Sequence, residues 1–247
     1  MPERGWTSAT TLLSAALGLS LIALFVAVER RSQAPLVPPS AFRDGAVTAT
    51  NAAIFLQSKV GVAWLYLMTL YFQEVLGYGP LAAGLLFLPM ALASVAAAAV
   101  AGRLTTRLGT GKTAALWGLG GVVAGLLLMM GVSREGGLLL VLAGTVVGEA
   151  GFMFSNVSLT IAGTWARTGE DGRGLAAGLL NTSVQLGNAW GLGVVATLIA
   201  ATSGPGVSAG GLEAGLLACA AFALLAMPIA FFGLPGAKPL QAPDDGA

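Results

Sequence analysis

The chain has 247 residues, of which 56% are hydrophobic and 9% charged, with a net charge of +1. A soluble domain carries roughly 25% charged residues, so this composition excludes a water-covered globular surface and makes lipid the solvent for much of the chain. The near-zero net charge gives no basis for a nucleic-acid partner, and the absence of histidine with a lone cysteine, Cys219, excludes zinc sites of His ligands, intrachain disulfides and Ser-His or Cys-His nucleophiles.

In lipid only helices or closed barrels satisfy the backbone. The apolar runs here are about 20 residues or longer, whereas barrel strands run to about 10 residues of alternating pattern. The expected fold is therefore all-α, a polytopic membrane bundle of about seven transmembrane helices. The spans are expected at 7–28, 46–73, 81–101, 113–132, 137–164, 174–201 and 211–233. The first is not expected to act as a signal peptide: Glu3 and Arg4 precede it with no basic run, and Glu29-Arg30-Arg31 follows where a small-residue cleavage site is required.

The connections carry turn residues: Pro35 to Pro39, Gly77-Tyr78-Gly79-Pro80, Gly109-Thr110-Gly111, Gly136-Gly137, Gly169-Glu170-Asp171-Gly172 and Ser203-Gly204-Pro205-Gly206. None is long enough for a soluble domain. The tail after Pro235 is polar, with Asp244 and Asp245, and is expected to be disordered. Alternate connections collect the basic residues: Arg30, Arg31, Arg43, Arg103, Arg107, Lys112, Arg167, Arg173 and Lys238 fall on one side, Arg4 and Arg134 on the other. The positive-inside rule then places the amino terminus outside and the carboxyl terminus in the cytoplasm.

Three small-xxx-small pairs, Gly144 with Gly148, Gly174 with Gly178 and Gly187 with Gly191, are expected to bring helix backbones together. Pro89 and Pro228 lie within spans and are expected to kink them.

Two charges lie mid-span, Lys59 on the second and Glu149 on the fifth. A charge at the bilayer centre costs about 3 kcal/mol or more, so such groups face a bundle interior or a wet cavity. Lys59 shares a stripe with Thr48, Asn51, Tyr66, Thr69 and Gln73, completed by Phe55 and Val62. Glu149 shares one with Thr145, Phe152, Asn156 and Thr160. Two polar stripes in one bundle predict a shared cavity. Asn181, Gln185 and Asn188 recur at helical spacing on the sixth span, either as interhelical glue or as part of that cavity.

Several segments resemble the major facilitator superfamily, in particular the carboxyl-terminal part of its fourteen-helix drug:proton antiporters. Glu29 to Pro38 with Phe42-Arg43 resembles the loop after the eighth helix of that branch, and Tyr71 to Gly84 its next outer loop. Leu88-Pro89 fits the following helix, and Ala177 to Gly187 resembles the penultimate one. Gly102-Arg103-Leu104-Thr105-Thr106-Arg107-Leu108-Gly109-Thr110-Gly111-Lys112 resembles a relaxed copy of the cytoplasmic loop motif Gly-x-Leu-x-Asp-Arg-x-Gly, with Thr106 where the family often has Asp.

The resemblance implies a linker helix and loop over 1–45, a six-helix carboxyl-terminal domain over 46–234 and a cytoplasmic tail over 235–247. It implies proton-coupled efflux of amphipathic small molecules across the plasma membrane, without enzymatic activity or cofactor. Lys59, Glu149, Asn51, Tyr66, Asn156 and Gln185 would lie on the substrate and proton pathway, Glu149 carrying a proton or binding a cation and Lys59 pairing with it or with an anionic substrate. Gly102, Arg103, Arg107, Gly109 and Lys112 would form the loop motif. Only one of the two expected domains is present, which implies a missing amino-terminal half or a partner chain. The competing readings are a non-transporting half, a seven-helix receptor or retinal protein, which would need a lysine on its last span, and a membrane enzyme, for which no second catalytic group accompanies Glu149.

Overall fold

A computed structural model describes residues 8–32, 43–108, 111–130, 137–165, 170–203, 206–234 and 236. It divides into two units, residues 1–43 and 44–247. The first unit contains helix α1 (Ala9–Arg31), whose start is capped by the Ser8 hydroxyl accepting from the Thr11 amide.

The second unit contains α2 (Gly45–Leu70), α3 (Pro80–Leu86), α4 (Leu88–Leu108), α5 (Gly111–Met129), α6 (Leu138–Trp165), α7 (Glu170–Thr202) and α8 (Ala209–Gly233). With α3 and α4 forming one span, Pro80–Arg107, the described residues hold seven helices long and apolar enough to cross a membrane. The described residues contain no strand. The protein is thus a multi-pass helical membrane protein.

Local chemistry sets the helix ends. Asp44 caps α2 through the amides of Ala46 and Val47. The same helix closes in a π-turn, Tyr71–Val75, before Gly77 takes the left-handed φ of 71° that favours glycine. Pro89 acts differently from expectation: the helix breaks at Phe87, and Pro89 then sits in the first turn of α4, where a missing N–H costs nothing. Helix α8 runs through Pro228 without interruption.

Two helices are longer than expected. The α4 helix continues to Leu108, so Gly102 to Arg107 are helical and not a loop. Arg and Leu are good helix formers and continue the helix past the apolar run, and Thr106 is satisfied within its own helix, donating to the Gly102 carbonyl. The α7 helix starts at Glu170, which turns part of the expected connection 169–172 into a first turn; acidic residues favour that position. Gly109, Thr110 and Arg167, and the tail apart from Gly236, lie outside the described residues.

Glycine governs the packing, because helices in lipid gain little from hydrophobic association and rely on close contact. Gly118, Gly121 and Gly125 of α5 meet Gly144, Gly148 and Gly151 of α6 backbone to backbone. A methyl on Gly144 would stand 2.6 Å from the Gly125 carbonyl oxygen. Gly187 and Gly191 of α7 lie against the α2 backbone at Phe55 and Lys59. The third expected pair, Gly174 and Gly178, faces open space and packs against nothing within 4 Å.

Buried side chains fill the rest. Trp64, Leu67, Met68, Phe72, Leu126 and Leu216 belong to one cluster, and Ile54, Leu119, Leu159 and Ala226 to another. Most hydroxyls bond to a carbonyl one turn back, as Thr50 does to Ala46 and Thr145 to Val141. Others cross between helices as structural ties, among them Thr105 of α4 with Ser158 of α6 at 2.9 Å, and Ser183 of α7 donating to Asn51 of α2 at 2.9 Å.

Candidate functional site

A pocket of about 340 Å³ opens among α2, α4, α6 and α7. The α6 helix contributes Glu149, Phe152, Met153 and Asn156, which helical spacing puts on one face. The α2 helix contributes Gly61, Val62, Trp64 and Leu65; α4 adds Met90, and α7 adds Val184 and Asn188. The walls are therefore aromatic, aliphatic and thioether surface, with one carboxyl group and two amides set into them.

Glu149 lies near the middle of α6, and the Ser94 hydroxyl of α4 is its hydrogen-bonding neighbour. Trp64 is held behind the pocket: it is 2% exposed, its ring lies in the notch at Gly148, and among the described residues its indole nitrogen has no hydrogen-bond partner. Below it, Gln57 crosses from α2 to α6. Its amide nitrogen donates to the Phe152 carbonyl at 2.8 Å and to the Ser155 hydroxyl at 2.7 Å. This tie holds the α6 register that presents Phe152 and Asn156 to the pocket.

Lys59 takes a separate position. Its ammonium group lies 4.4 Å from the centre of the Phe55 ring, 4.9 Å from Phe222 of α8 and 5.6 Å from Trp190 of α7. It does not line the pocket, and among the described residues no ion pair joins it to Glu149. The expected Lys59–Glu149 pair is thus two charges facing different seams of the bundle. Gly191 explains the seam, because it lets α7 cross directly over the Lys59 backbone.

The remaining expected pathway residues divide. Asn156 lines the pocket beside Glu149, and Asn188 joins it from the sixth-span amides. Asn51 is tied to Ser183 and to the Val47 carbonyl, the role of interhelical glue. Tyr66 is half-buried against the core, and Gln185 is exposed on α7 outside the pocket. Of the motif residues, Arg103 and Arg107 are exposed on the last turns of α4, Gly102 has open space around it, and Lys112 lies 4.6 Å over the Phe231 ring of α8.

Sequence reading missed Gln57 and Ser94. Gln57 stands off the Lys59 stripe by about 200° of helix rotation, so it belongs to no polar face. What could have drawn attention to it is a lone amide inside an apolar run, which in lipid demands a partner. Among the described residues no group of three or more His, Cys, Asp or Glu could hold a metal ion.

No family model matches the chain. Individual relatives do. The multidrug resistance protein Stp of Mycobacterium tuberculosis is 31% identical over 203 residues, covering 81% of this chain and 37% of Stp. The cephamycin export protein CmcT of Amycolatopsis lactamdurans is 31% identical over 223 residues, 79% of this chain and 40% of that protein. An uncharacterized MFS-type transporter, EfpA of Mycobacterium tuberculosis, is 37% identical over 106 residues, 43% of this chain and 20% of EfpA. The chain therefore spans well under half the length of the relatives it matches.

Proposed function

This chain belongs to the major facilitator superfamily and corresponds to the carboxyl-terminal part of its drug-efflux members, and we propose that it supplies one half of a secondary transporter that exports amphipathic small molecules in exchange for protons. The observation that carries this reading is the pocket itself. A carboxyl group in mid-membrane is costly unless it serves a pathway, and Glu149 lines a pocket whose other walls are apolar, aromatic and amide.

The pocket has the composition of a small-molecule site, mostly apolar with a few placed polar groups. In the mechanism, Glu149 holds a proton in one state and yields it in the other, with Ser94 orienting the carboxyl group. Phe152, with Val62, Leu65 and Met90, gives the apolar surface against which an amphipathic substrate lies. Gln57 and the α5–α6 glycine seam make the domain move as one body. Alternating access then consists of this body rocking against a second helical half across the shared site. Lys59, Asn51, Tyr66 and Gln185 enter as helix-positioning or interface groups of that motion, while Asn156 faces the substrate.

The same reading places the protein in the plasma membrane, its amino terminus outside and its carboxyl terminus in the cytoplasm. The basic residues at the ends of α4, α5 and α7 support that orientation, since Arg107, Lys112 and Arg173 all fall on one side of an alternating bundle. The amino-terminal half is supplied by the same polypeptide or by a partner chain.

The test is to express the chain in an efflux-deficient bacterium, alone and together with an amino-terminal six-helix half of a relative. Efflux of an accumulated dye is then followed after energisation. The reading expects efflux only with both halves present and none with Glu149→Gln. Efflux by the chain alone, or full efflux with Glu149→Gln, would contradict it; stable co-purification without any efflux would instead make the chain a non-transporting subunit.

A further inference from the structure

Two aromatic rings at the α2–α6 crossing are seated reciprocally on glycines. Trp64 of α2 lies in the notch at Gly148 of α6, and Phe152 of α6 lies against Gly61 of α2. Gly61 and Trp64 are three residues apart and Gly148 and Phe152 four, so each helix presents a berth and a ring on one face. The two rings differ in what lies beyond them. Trp64 is buried in the core, whereas Phe152 is half-buried and lines the pocket together with Gly61.

The Gly61 berth decides how far the Phe152 ring stands back from the pocket. A methyl on Gly61 would stand 2.8 Å from Phe152 Cζ and 3.3 Å from Cε2, closer than the roughly 3.5–4.0 Å at which non-bonded carbons pack. The backbones on either side do not absorb that contact. Gly187 and Gly191 seat α7 directly on the α2 backbone at Phe55 and Lys59. A methyl on Gly151 would stand 2.6 Å from the Gly118 carbonyl oxygen, so α6 is close-packed on α5. Gln57 further fixes the Phe152 carbonyl at 2.8 Å. What can move is the ring, and its open side is the pocket. At about 340 Å³, the pocket lies at the small end of the roughly 300–1,000 Å³ of ligand sites, so a displaced ring takes a substantial share of it.

We propose that Gly61 sets the upper size limit of the pocket's ligand, acting through the Phe152 ring that it seats, and that the ligand is a compact multi-ring apolar solute lying on that ring. The inference rests on the transport reading in taking the pocket as a substrate site, but size selection can be measured by binding alone. Phe152 touches the ligand; Gly61 is a positioning residue. Because the filter is steric, it acts on uncharged ligands as it does on charged ones.

The experiment uses the full chain in phosphatidylcholine nanodiscs, with empty nanodiscs as the partition control. The probes are benzophenone and 4-phenylbenzophenone, uncharged ketones that differ by one ring and share one photoreactive carbonyl. Irradiation over a concentration series gives the half-saturation of covalent labelling, and peptide mass analysis reads insertion at Met90 and Met153 of the pocket wall. The proposal expects saturable labelling of these methionines by both probes in the wild type. Gly61→Ala should raise the half-saturation of the larger probe at least tenfold and that of the smaller less than threefold. Adding Phe152→Leu to Gly61→Ala should return the larger probe to within a few-fold of wild type, a rescue that a merely structural role of Gly61 would not give.

Equal shifts of both probes in Gly61→Ala, or an unchanged half-saturation of the larger one, overturn the proposal, as does the absence of saturable labelling at Met90 and Met153 in the wild type. If Gly61→Ala does not fold, Phe152→Leu alone decides: it should tighten the larger probe several-fold relative to the smaller, and an unchanged ratio overturns the size filter. A Gly61-dependent size limit in binding without substrate movement in the completed transporter would sink the transport reading and leave the filter standing. Proton-driven transport whose size limit is the same in Gly61→Ala would sink only the filter.

Discussion

Replacing Gly191 by alanine sets a methyl group against the backbone of α2 at Lys59. The new carbon would stand 2.5 Å from the Lys59 Cα and 2.6 Å from its carbonyl carbon. These are backbone atoms of a helix and cannot turn aside as a side chain would, so α7 must move outward. Overpacking of this kind costs about 1–3 kcal/mol. For a chain of this length each kcal/mol lowers the melting temperature by about 2–4 °C, which predicts a loss of about 2–12 °C for Gly191→Ala. The assay is thermal unfolding in one detergent, followed by tryptophan fluorescence. Gly178→Ala is the internal control, because it lies on the same helix with the same spacing partner yet meets nothing within 4 Å. It should be neutral or slightly stabilising, since alanine is the better helix former by about 1 kcal/mol. Equal melting temperatures for the two variants would refute the claim that one glycine pair is a helix contact and the other is not.

Gln57→Leu should destabilise by about 0.6–1.7 kcal/mol, the range for interhelical hydrogen bonds in membranes. The loss stays small because Ser155 keeps its bond to the Gly151 carbonyl, and a double-mutant cycle with Ser155→Ala in unfolding titrations should show coupling. Gly148→Ala drives a methyl into the Trp64 ring; it should lower stability by about 1–3 kcal/mol and shift tryptophan emission, whereas Gly174→Ala should do neither. Single cysteines at Gly136 and Arg173, on a Cys219→Ser background, should label from the outside and the cytoplasmic side respectively with an impermeant maleimide. The reverse pattern would overturn the orientation.

The bundle was legible in the sequence because lipid imposes simple rules. Long apolar runs, turn residues between them and alternating basic connections define seven spans, and each appears as helical structure, the third broken into α3 and α4 at Phe87. Pairs of helices were harder to read. Gly187 and Gly191 were visible as a pair, but so were Gly174 and Gly178, and only a neighbouring helix decides which glycines are contacts. The α5 partners Gly118, Gly121 and Gly125 were passed over, although Gly121 and Gly125 have the same four-residue spacing as the pairs that were singled out. Boundaries slipped where helical propensity outlasts the apolar run, as at Gly102 to Leu108 and at Glu170.

The site was half legible. Mid-membrane charge singled out Glu149, and helical spacing brought Asn156 with it into the pocket. Lys59 passed the same test, yet a lysine can snorkel along its own helix, and sequence does not show that Phe222 and Trp190 wait in the neighbouring seam. Asn51 and Tyr66 share the Lys59 stripe but meet α7 and the core, because one stripe on a central helix can face several neighbours in turn.

The central claim is that Glu149 couples protons to export. The most direct measurement is made in proteoliposomes holding the completed transporter, with a fluorescent amphipathic substrate and an imposed pH gradient. The account predicts gradient-driven substrate movement in the wild type and its loss in Glu149→Gln, with substrate binding to Asn51→Ala and Tyr66→Phe retained. Gradient-driven movement that persists in a folded Glu149→Gln protein would contradict it.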